Sequence, residues 1–371
     1  MPSSWRRRMR IALLTYSTKP RGGVVHTLAL AEAFARAGHA VTVWALARGG
    51  DTGFSRPVDP AVDVRLVAVP EIEGETVGER ILRSIALLGD AFSGAFDVVH
   101  AQDCLTANAV GRARGYAGLW RTVHHLDRFT TPELAACHER ALVEPAALVC
   151  VSEAVASEVR AGWGREPAVI ANGVEAARFA AAADAGAGAA WRARYGRHVL
   201  AVGGIEPRKG TLDLVSAMAR LPGVPLVIAG GDTLFDYRPY RDEVFARAAE
   251  LGVEPVVLGP VAHDELPGLV AGAAVFAFPS TQEGFGLAAM EALAAGVPLV
   301  TRDLPVLREV FAGAARFADG PPGFAREIGE VLAGSDVDPA HATVGRALAA
   351  AHTWEAAAAA HLNLYRRRVT G

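Results

Sequence analysis

The feature that most constrains this chain is an alternation kept up along its length. Short runs rich in β-branched and apolar residues are each followed by an alanine- and leucine-rich stretch with helical spacing. Strands that return through helices run parallel, so the pattern predicts an α/β fold. In the first half the expected strands are 10–16, 40–46, 62–69, 98–101, 121–126, 147–152 and 168–172. Several are nearly continuous apolar runs, as strands covered on both faces must be. A polar, alanine- and glycine-rich segment, 180–196, breaks the alternation and reads as a linker. The pattern restarts with 198–204, 225–231, 256–261, 275–280 and 298–303. Two sheets of this kind imply two domains, 1–190 and 191–353. The final stretch, 354–371, carries helical spacing and is expected to pack back on the first domain.

Composition narrows the function classes. With 51% hydrophobic and 21% charged residues the chain is globular, and a net charge of −3 gives no reason to expect a nucleic-acid partner. Cys104, Cys137 and Cys150 are too few and too scattered for a disulfide framework or a zinc site, which points to a reducing, cytoplasmic setting. Four arginines stand in 1–10, but the apolar run after them, 11–14, is too short for an export signal. The most lipid-like stretch elsewhere, 269–279, is about half the length of a spanning helix. The basic start, 5–10, leaves peripheral contact with an anionic membrane surface open. Only two of the 37 basic residues are lysines, Lys19 and Lys209, so the position of each carries information.

Ligands of open parallel sheets bind beyond the carboxyl ends of the strands. After the first strand comes Lys19-Pro20-Arg21-Gly22-Gly23 and a helical run, giving bare amides at a helix N-terminus beside two cations. A glycine loop that merely turns a strand into a helix looks the same, and neither the dinucleotide nor the P-loop glycine pattern is present. The second domain opens similarly, with Glu206-Pro207-Arg208-Lys209-Gly210 after its first strand. An adjacent arginine and lysine can neutralise a diphosphate, one as a two-pronged fork and the other as a point charge.

The sharpest signal is the segment from Pro279 to Ala292, where a strand ends, Gly284 and Gly286 let backbone approach a ligand, and a helix begins near Phe285. Such a turn suits a phosphate or a sugar. Glu283 stands before the helix and Glu291 within it, two carboxylates able to accept hydroxyls from one ligand. Alternatively Glu283 only caps the helix, and Glu291 is an idle surface acid. The apolar neighbours of Glu291, Met290 and Ala292, weigh against idleness. His124-His125-Leu126-Asp127 ends another strand; adjacent histidines in extended chain point to opposite faces, so a shared metal ion is disfavoured.

Taken in order, Gly22-Gly23, Thr122-Val123-His124, Val151-Ser152-Glu153, Asn172-Gly173-Val174, Glu206-Pro207-Arg208-Lys209-Gly210, Gly230-Gly231, Leu258-Gly259, and Glu283-Gly284-Phe285-Gly286 with Glu291 resemble the retaining glycosyltransferases of family four, also called group 1. The similarity spans nearly the whole chain and extends to Thr353-Trp354-Glu355 before the last helix. The resemblance implies a GT-B fold, two Rossmann-like parallel-sheet domains facing across a cleft, with acceptor binding in the first and nucleotide-sugar binding in the second. It implies that Arg208 and Lys209 hold the donor diphosphate, Glu283 the sugar hydroxyls and Glu291 the ribose. It also implies that backbone at Gly284, Phe285, Gly286 and Leu287 meets sugar and phosphate, that His124 lies near the anomeric carbon, and that Gly22 and Gly23 line the cleft.

His124, Glu283 and Lys209 are thus the expected catalytic groups, with a UDP- or GDP-sugar as donor, no cofactor, no metal and an unidentified acceptor. In one departure, many members carry arginine where this chain has Gly204; the resemblance to a subset with Glu-Pro-Arg-Lys, as here, implies that Arg208 beside the lysine takes its place. The rival readings are a GT-B nucleotide-sugar epimerase, a phosphorylase, or a non-catalytic sugar-nucleotide-binding protein. Too few lysines remain to serve a phosphorylase that binds pyridoxal.

Overall fold

A computed structural model describes residues 8–127, 129–231, 237–334 and 339–369, with the side chains of 339–341 and 368–369 left out. Half of the basic start 5–10, read as a membrane-contact candidate, lies outside the described residues, namely 5–7. Among the described residues no helix is long and apolar enough to cross a membrane.

The chain divides into two compact units. The first runs to Gly173 and takes in the stretch from Trp354 onward. In chain order it contains β1 (Arg10–Thr15), α1 (Gly22–Arg36), β2 (Ala40–Arg48), β3 (Val62–Val69), α2 (Val77–Ala91), β4 (Val98–Ala101), α3 (Cys104–Arg114), β5 (Leu119–Val123), α4 (Pro132–Val143), β6 (Ala147–Cys150), α5 (Glu153–Trp163) and β7 (Ala168–Val169). These seven strands form one parallel sheet in the order β3-β2-β1-β4-β5-β6-β7. Central strands are apolar throughout: five of the six residues of β1 are buried, and all four of β4. In the edge strand β3 only the first and last residues are buried, since helices cover it less fully. Asp103 and Ser152 start α3 and α5 by accepting amide hydrogen bonds, and Thr76 with Glu79 forms a reciprocal capping box on α2.

The second unit, Val174–Thr353, contains α6 (Ala176–Asp184), α7 (Ala189–Tyr195), β8 (Val199–Val202), α8 (Thr211–Met218), β9 (Leu226–Ala229), α9 (Arg238–Glu250), β10 (Val256–Gly259), α10 (Leu266–Gly272), β11 (Val275–Phe278), α11 (Leu287–Ala294), β12 (Leu299–Arg302), α12 (Pro305–Phe311), β13 (Ala315–Ala318), α13 (Gly320–Ala333) and α14 (Pro339–Ala351). Its parallel sheet has the order β10-β9-β8-β11-β12-β13. Its core gathers Val199, Leu214, Met218, Ile228, Val275, Val300, Phe324 and Ile328. The last helix, α15 (Trp354–Val369), belongs to the first unit.

Three expectations need correction. The segment 180–196 is not a linker: α6 and α7 occupy most of it, because alanine favours helix even where no apolar stripe announces one. Both pack on α10, where the Arg192 guanidinium donates to the Ala271 carbonyl at 2.9 Å, so the boundary falls at Gly173 and not at 190. The second sheet gains a sixth strand, β13, whose sequence Ala-Arg-Phe-Ala is too short to signal one. Finally, β5 begins two residues earlier than expected and stops at Val123, which places His124 in the loop beyond it.

Candidate active site

In the second sheet the winding reverses between β8 and β11, which are neighbours although α8 to α10 separate them in sequence. The loops leaving the carboxyl ends of two such strands diverge to opposite faces, and the gap between them is where an open α/β sheet receives ligands. These loops carry the two motifs that stand out in the sequence. After β8, Pro207–Lys209 makes one turn of 3₁₀ helix and Gly210, at φ +66°, starts α8. A Cβ at Gly210 would stand 2.1 Å from the Pro279 carbonyl oxygen, so only glycine lets the loops touch. The Thr281 amide donates to the Arg208 carbonyl at 2.7 Å. Arg302, at the end of β12, donates its Nε to the Pro279 carbonyl at 2.9 Å while also pairing with Asp213. Sequence reasoning missed Arg302 and Asp213; their signal was a charged residue at a strand end and another in the first turn of a helix.

Held this way, Lys209 and Glu283 meet. Nζ lies 2.5 Å from Glu283 Oε1, and Arg208 Nη1 lies 3.5 Å from the same oxygen. Arg208 also binds Glu206 at 2.7 Å. The ammonium stands 5.3 Å from the centre of the Phe278 ring. Burial lowers the Lys209 pKa from its usual value, Arg208 adding to the effect and Glu283 opposing it.

Gly286 precedes α11 at φ +97°, and a Cβ there would stand 3.0 Å from the Phe311 ring and 3.3 Å from Phe278. Its glycine is therefore demanded by the chain itself, not only by a ligand. The Phe285 side chain is core, with its ring 5.7 Å from that of His352, and the helix starts at Leu287, two residues later than expected. The first amides of α11 nevertheless remain without a side-chain cap, beside Glu283 in sequence. Glu291 lies on α11 near Glu175 and Arg178. Burial, then Glu175, pushes its carboxyl up to about 8, with Arg178 opposing. The two acids thus have different surroundings: Glu283 sits among cations, and Glu291 beside an acid and an arginine of α6. Ser280, buried between the motifs, has an Oγ with no hydrogen-bond partner among the described residues.

In the first unit, His124 follows β5 and faces the start of α1: a Cβ on Gly23 would stand 3.5 Å from its ring, whereas one on Gly22 would meet open space. Its ring centre is 4.8 Å from that of His26, whose Nδ1 lies 2.9 Å from Asn172 Oδ1. Burial first, then His125 and Arg121, lowers the His124 pKa to about 3, so the ring is neutral near pH 7. His26 was not foreseen; Asn172 belongs to a motif of the resemblance but had no assigned role. His125 turns to Asp127 at 2.9 Å, and among the described residues no group of three or more His, Cys, Asp or Glu is placed to hold a metal ion.

The sequence pattern of the Glycosyl transferases group 1 matches residues 195–333, and that of Glycosyltransferase Family 4 matches 20–178. Glycogen synthase of Mycobacterium tuberculosis is 30% identical over 342 aligned positions, covering 81% of this chain and 80% of that protein. This chain is a group 1 glycosyltransferase. Sucrose-phosphate synthase from Thermosynechococcus elongatus superposes with a TM-score of 0.80 at 21% identity, covering 98% of this chain and 100% of that one. Anabaena HepE, solved in complex with UDP and glucose, does so with 0.76 at 21%, covering 96% and 100%. The glycosyltransferase therefore has the GT-B fold, two Rossmann-like units each with its own parallel sheet. Its group 1 match contains Arg208, Lys209, Glu283 and Glu291; its family 4 match contains Gly22, Gly23, His26, His124 and Asn172.

Proposed function

We propose that this glycosyltransferase takes a sugar from a UDP- or GDP-linked donor and transfers it with retention of configuration, without a metal ion. The observation that carries the reading is the meeting of Lys209, Arg208 and Glu283 on two loops that flank the winding reversal of the second sheet. A partly buried lysine and arginine sharing one carboxylate are poised for exchange. An arriving diphosphate offers more negative charge and more acceptor oxygens than Glu283, so it takes over the cations and frees the carboxylate for sugar hydroxyls. Glycosyl transfer breaks the bond between the anomeric carbon and the diphosphate. Lys209, Arg208 and the amides opening α11 then lower the barrier because they stabilise the departing anion more than the bound donor.

The proposed role of Glu291 is recognition of the ribose, and that of Gly22 and Gly23 is close backbone approach to the phosphates. His124, neutral at working pH, is assigned a hydrogen bond near the anomeric carbon and not general acid catalysis. Retention follows if the acceptor attacks the face the diphosphate leaves, the leaving phosphate helping to take the acceptor proton. The complexes of HepE with UDP and with UDP-glucose support the donor class.

The test is thermal stabilisation by UDP, GDP and ADP in EDTA-containing buffer, since a ligand that binds only the folded chain must raise its melting temperature. One diphosphate is expected to stabilise clearly more than the others, and Lys209→Ala to lose that gain while folding normally. Equal response of wild type and variant overturns the assignment. Conversion of a nucleotide sugar with no acceptor present would favour the epimerase instead.

A further inference from the structure

The first unit holds cations that this reading leaves unused. Arg48 ends β2, and its register partner at the end of β3 is Val69. The next carbonyl, Pro70, accepts from Arg83 Nη2 at 2.9 Å, so Arg83 of α2 reaches the same edge of the sheet. Arg80 stands three residues before it on that helix, on a shared face. On the other side of β2, the loop after β1 supplies Arg21, whose guanidinium lies 5.6 Å from the centre of the Tyr16 ring. Nearby Lys19 is taken by Asp51 at 2.9 Å, which Thr18 also binds. Arg83 is taken by Glu75 at 2.5 and 2.7 Å, and the same carboxylate attracts Arg80 and Arg48 without pairing with either. Glu71 stands at the margin, near Gly49.

Arg21, Arg48 and Arg80 are left. Among the described residues none of the three has a carboxylate at ion-pairing distance, and each has an Nε that is closed to solvent and lacks a hydrogen-bond partner. Burial lowers the Arg48 pKa from the usual arginine value, and repulsion from Arg80 and Arg21 adds to this. Arg21 is also the N-cap of α1, without a side-chain cap bond, so a cation sits where the helix dipole is already positive. Like charges gathered on three elements oppose folding unless an anion joins them.

We propose that Arg21, Arg48 and Arg80 form a binding site for a phosphate group carried by the acceptor. A carboxylate can satisfy one guanidinium fork, whereas a phosphate monoester brings close to two negative charges and three oxygens, enough for all three. The bearer is a phosphorylated small molecule or a phospholipid headgroup. The word acceptor rests on the transferase reading; the anion site does not.

Inorganic phosphate is titrated into full-length Lys209→Ala protein, in which the second unit's anion site is impaired, with and without Arg48→Gln and Arg80→Gln. Sodium chloride at matched ionic strength controls for screening. The Lys209→Ala protein should show a rise in melting temperature specific to phosphate. The added arginine changes should weaken apparent phosphate affinity at least roughly tenfold, as expected for lost charge-assisted hydrogen bonds, and should raise the melting temperature in phosphate-free buffer by relieving repulsion. An equal phosphate response in both proteins, or none in the Lys209→Ala protein, overturns the site. Nucleoside-diphosphate stabilisation in a background with native Lys209 tests the donor reading separately, and should survive the arginine changes.

To identify the bearer, glucose 6-phosphate and vesicles of phosphatidic acid in phosphatidylcholine are compared on wild-type protein. Whichever binds in a way the arginine changes abolish is the class of bearer. Binding of neither overturns the proposal even where inorganic phosphate binds.

Discussion

Gly22 and Gly286 belong to similar-looking motifs, yet the structure separates them. Gly286 cannot change, because its left-handed backbone and the Phe311 ring both exclude a side chain. Gly22 opens α1 with space around it and no left-handed φ, so nothing in the chain itself requires glycine there. Gly22→Ala is therefore expected to stabilise the protein by about 0.5–1 kcal/mol, through reduced freedom of the unfolded chain, and to lower sugar transfer by crowding a ligand. Urea denaturation and turnover on the same sample check both halves. Unchanged turnover would remove Gly22 from the site. The motif was legible in sequence, but whether its glycines serve the fold or a ligand was not. That distinction depends on which atoms lie within 4 Å, and for Gly286 these come from Phe278 and from Phe311, 25 positions away.

Among the elements, α15 shows how a segment distant in sequence can complete a core. Its Tyr365 is fully buried, and its hydroxyl lies 2.6 Å from Nδ1 of His100 on β4. The other ring nitrogen of His100 is 2.9 Å from the Thr122 hydroxyl on β5, so both polar ends of a buried imidazole are satisfied. Tyr365→Phe keeps the ring and strands Nδ1, at an expected cost of about 1–3 kcal/mol. The fall in denaturation midpoint at unchanged m-value measures it. A cost near zero would mean that water replaces the hydroxyl. The helical spacing of this element was readable, but its partner was not: an amphipathic stripe states that a face is covered without saying by what.

Across the whole molecule, buried titratable groups give the two units opposite responses to acid. His26, His39, His100, His124, His138 and His361 of the first unit are all held below the ordinary histidine value, chiefly by burial. Their contribution is complete above about pH 6.5 and is lost as the pH falls toward their folded values, about 3 for His124 and about 4 for His361. Each such group costs about 1.4 kcal/mol per pH unit in that window. Asp103, pushed up to about 6, offsets part of this. In the second unit Glu291 has the opposite sign: its contribution is complete below its ordinary value and is lost as pH rises through about 8, although His198, also lowered by burial, shares the sign of the first unit's histidines and offsets part of that. Hydrogen exchange between pH 7 and 5, corrected for intrinsic rates, should show β1 and β4 losing protection before β8 and β11. Glu291→Gln should cancel the second unit's gain on acidification; parallel loss in both units would refute the scheme.

The sequence by itself determined the α/β class, the parallel sheets, the family and the motifs at the strand ends, because all of these are local patterns of period, turn and spacing. Only the tertiary structure decided that 180–196 folds with the second unit, that Lys209 meets Glu283, and that three arginines of the first unit stand together with no carboxylate of the described residues at ion-pairing distance. Those outcomes depend on which elements become neighbours, and 74 positions separate Lys209 from the acid it binds. Spacing along a chain carries no record of such a distance until the sheet is wound.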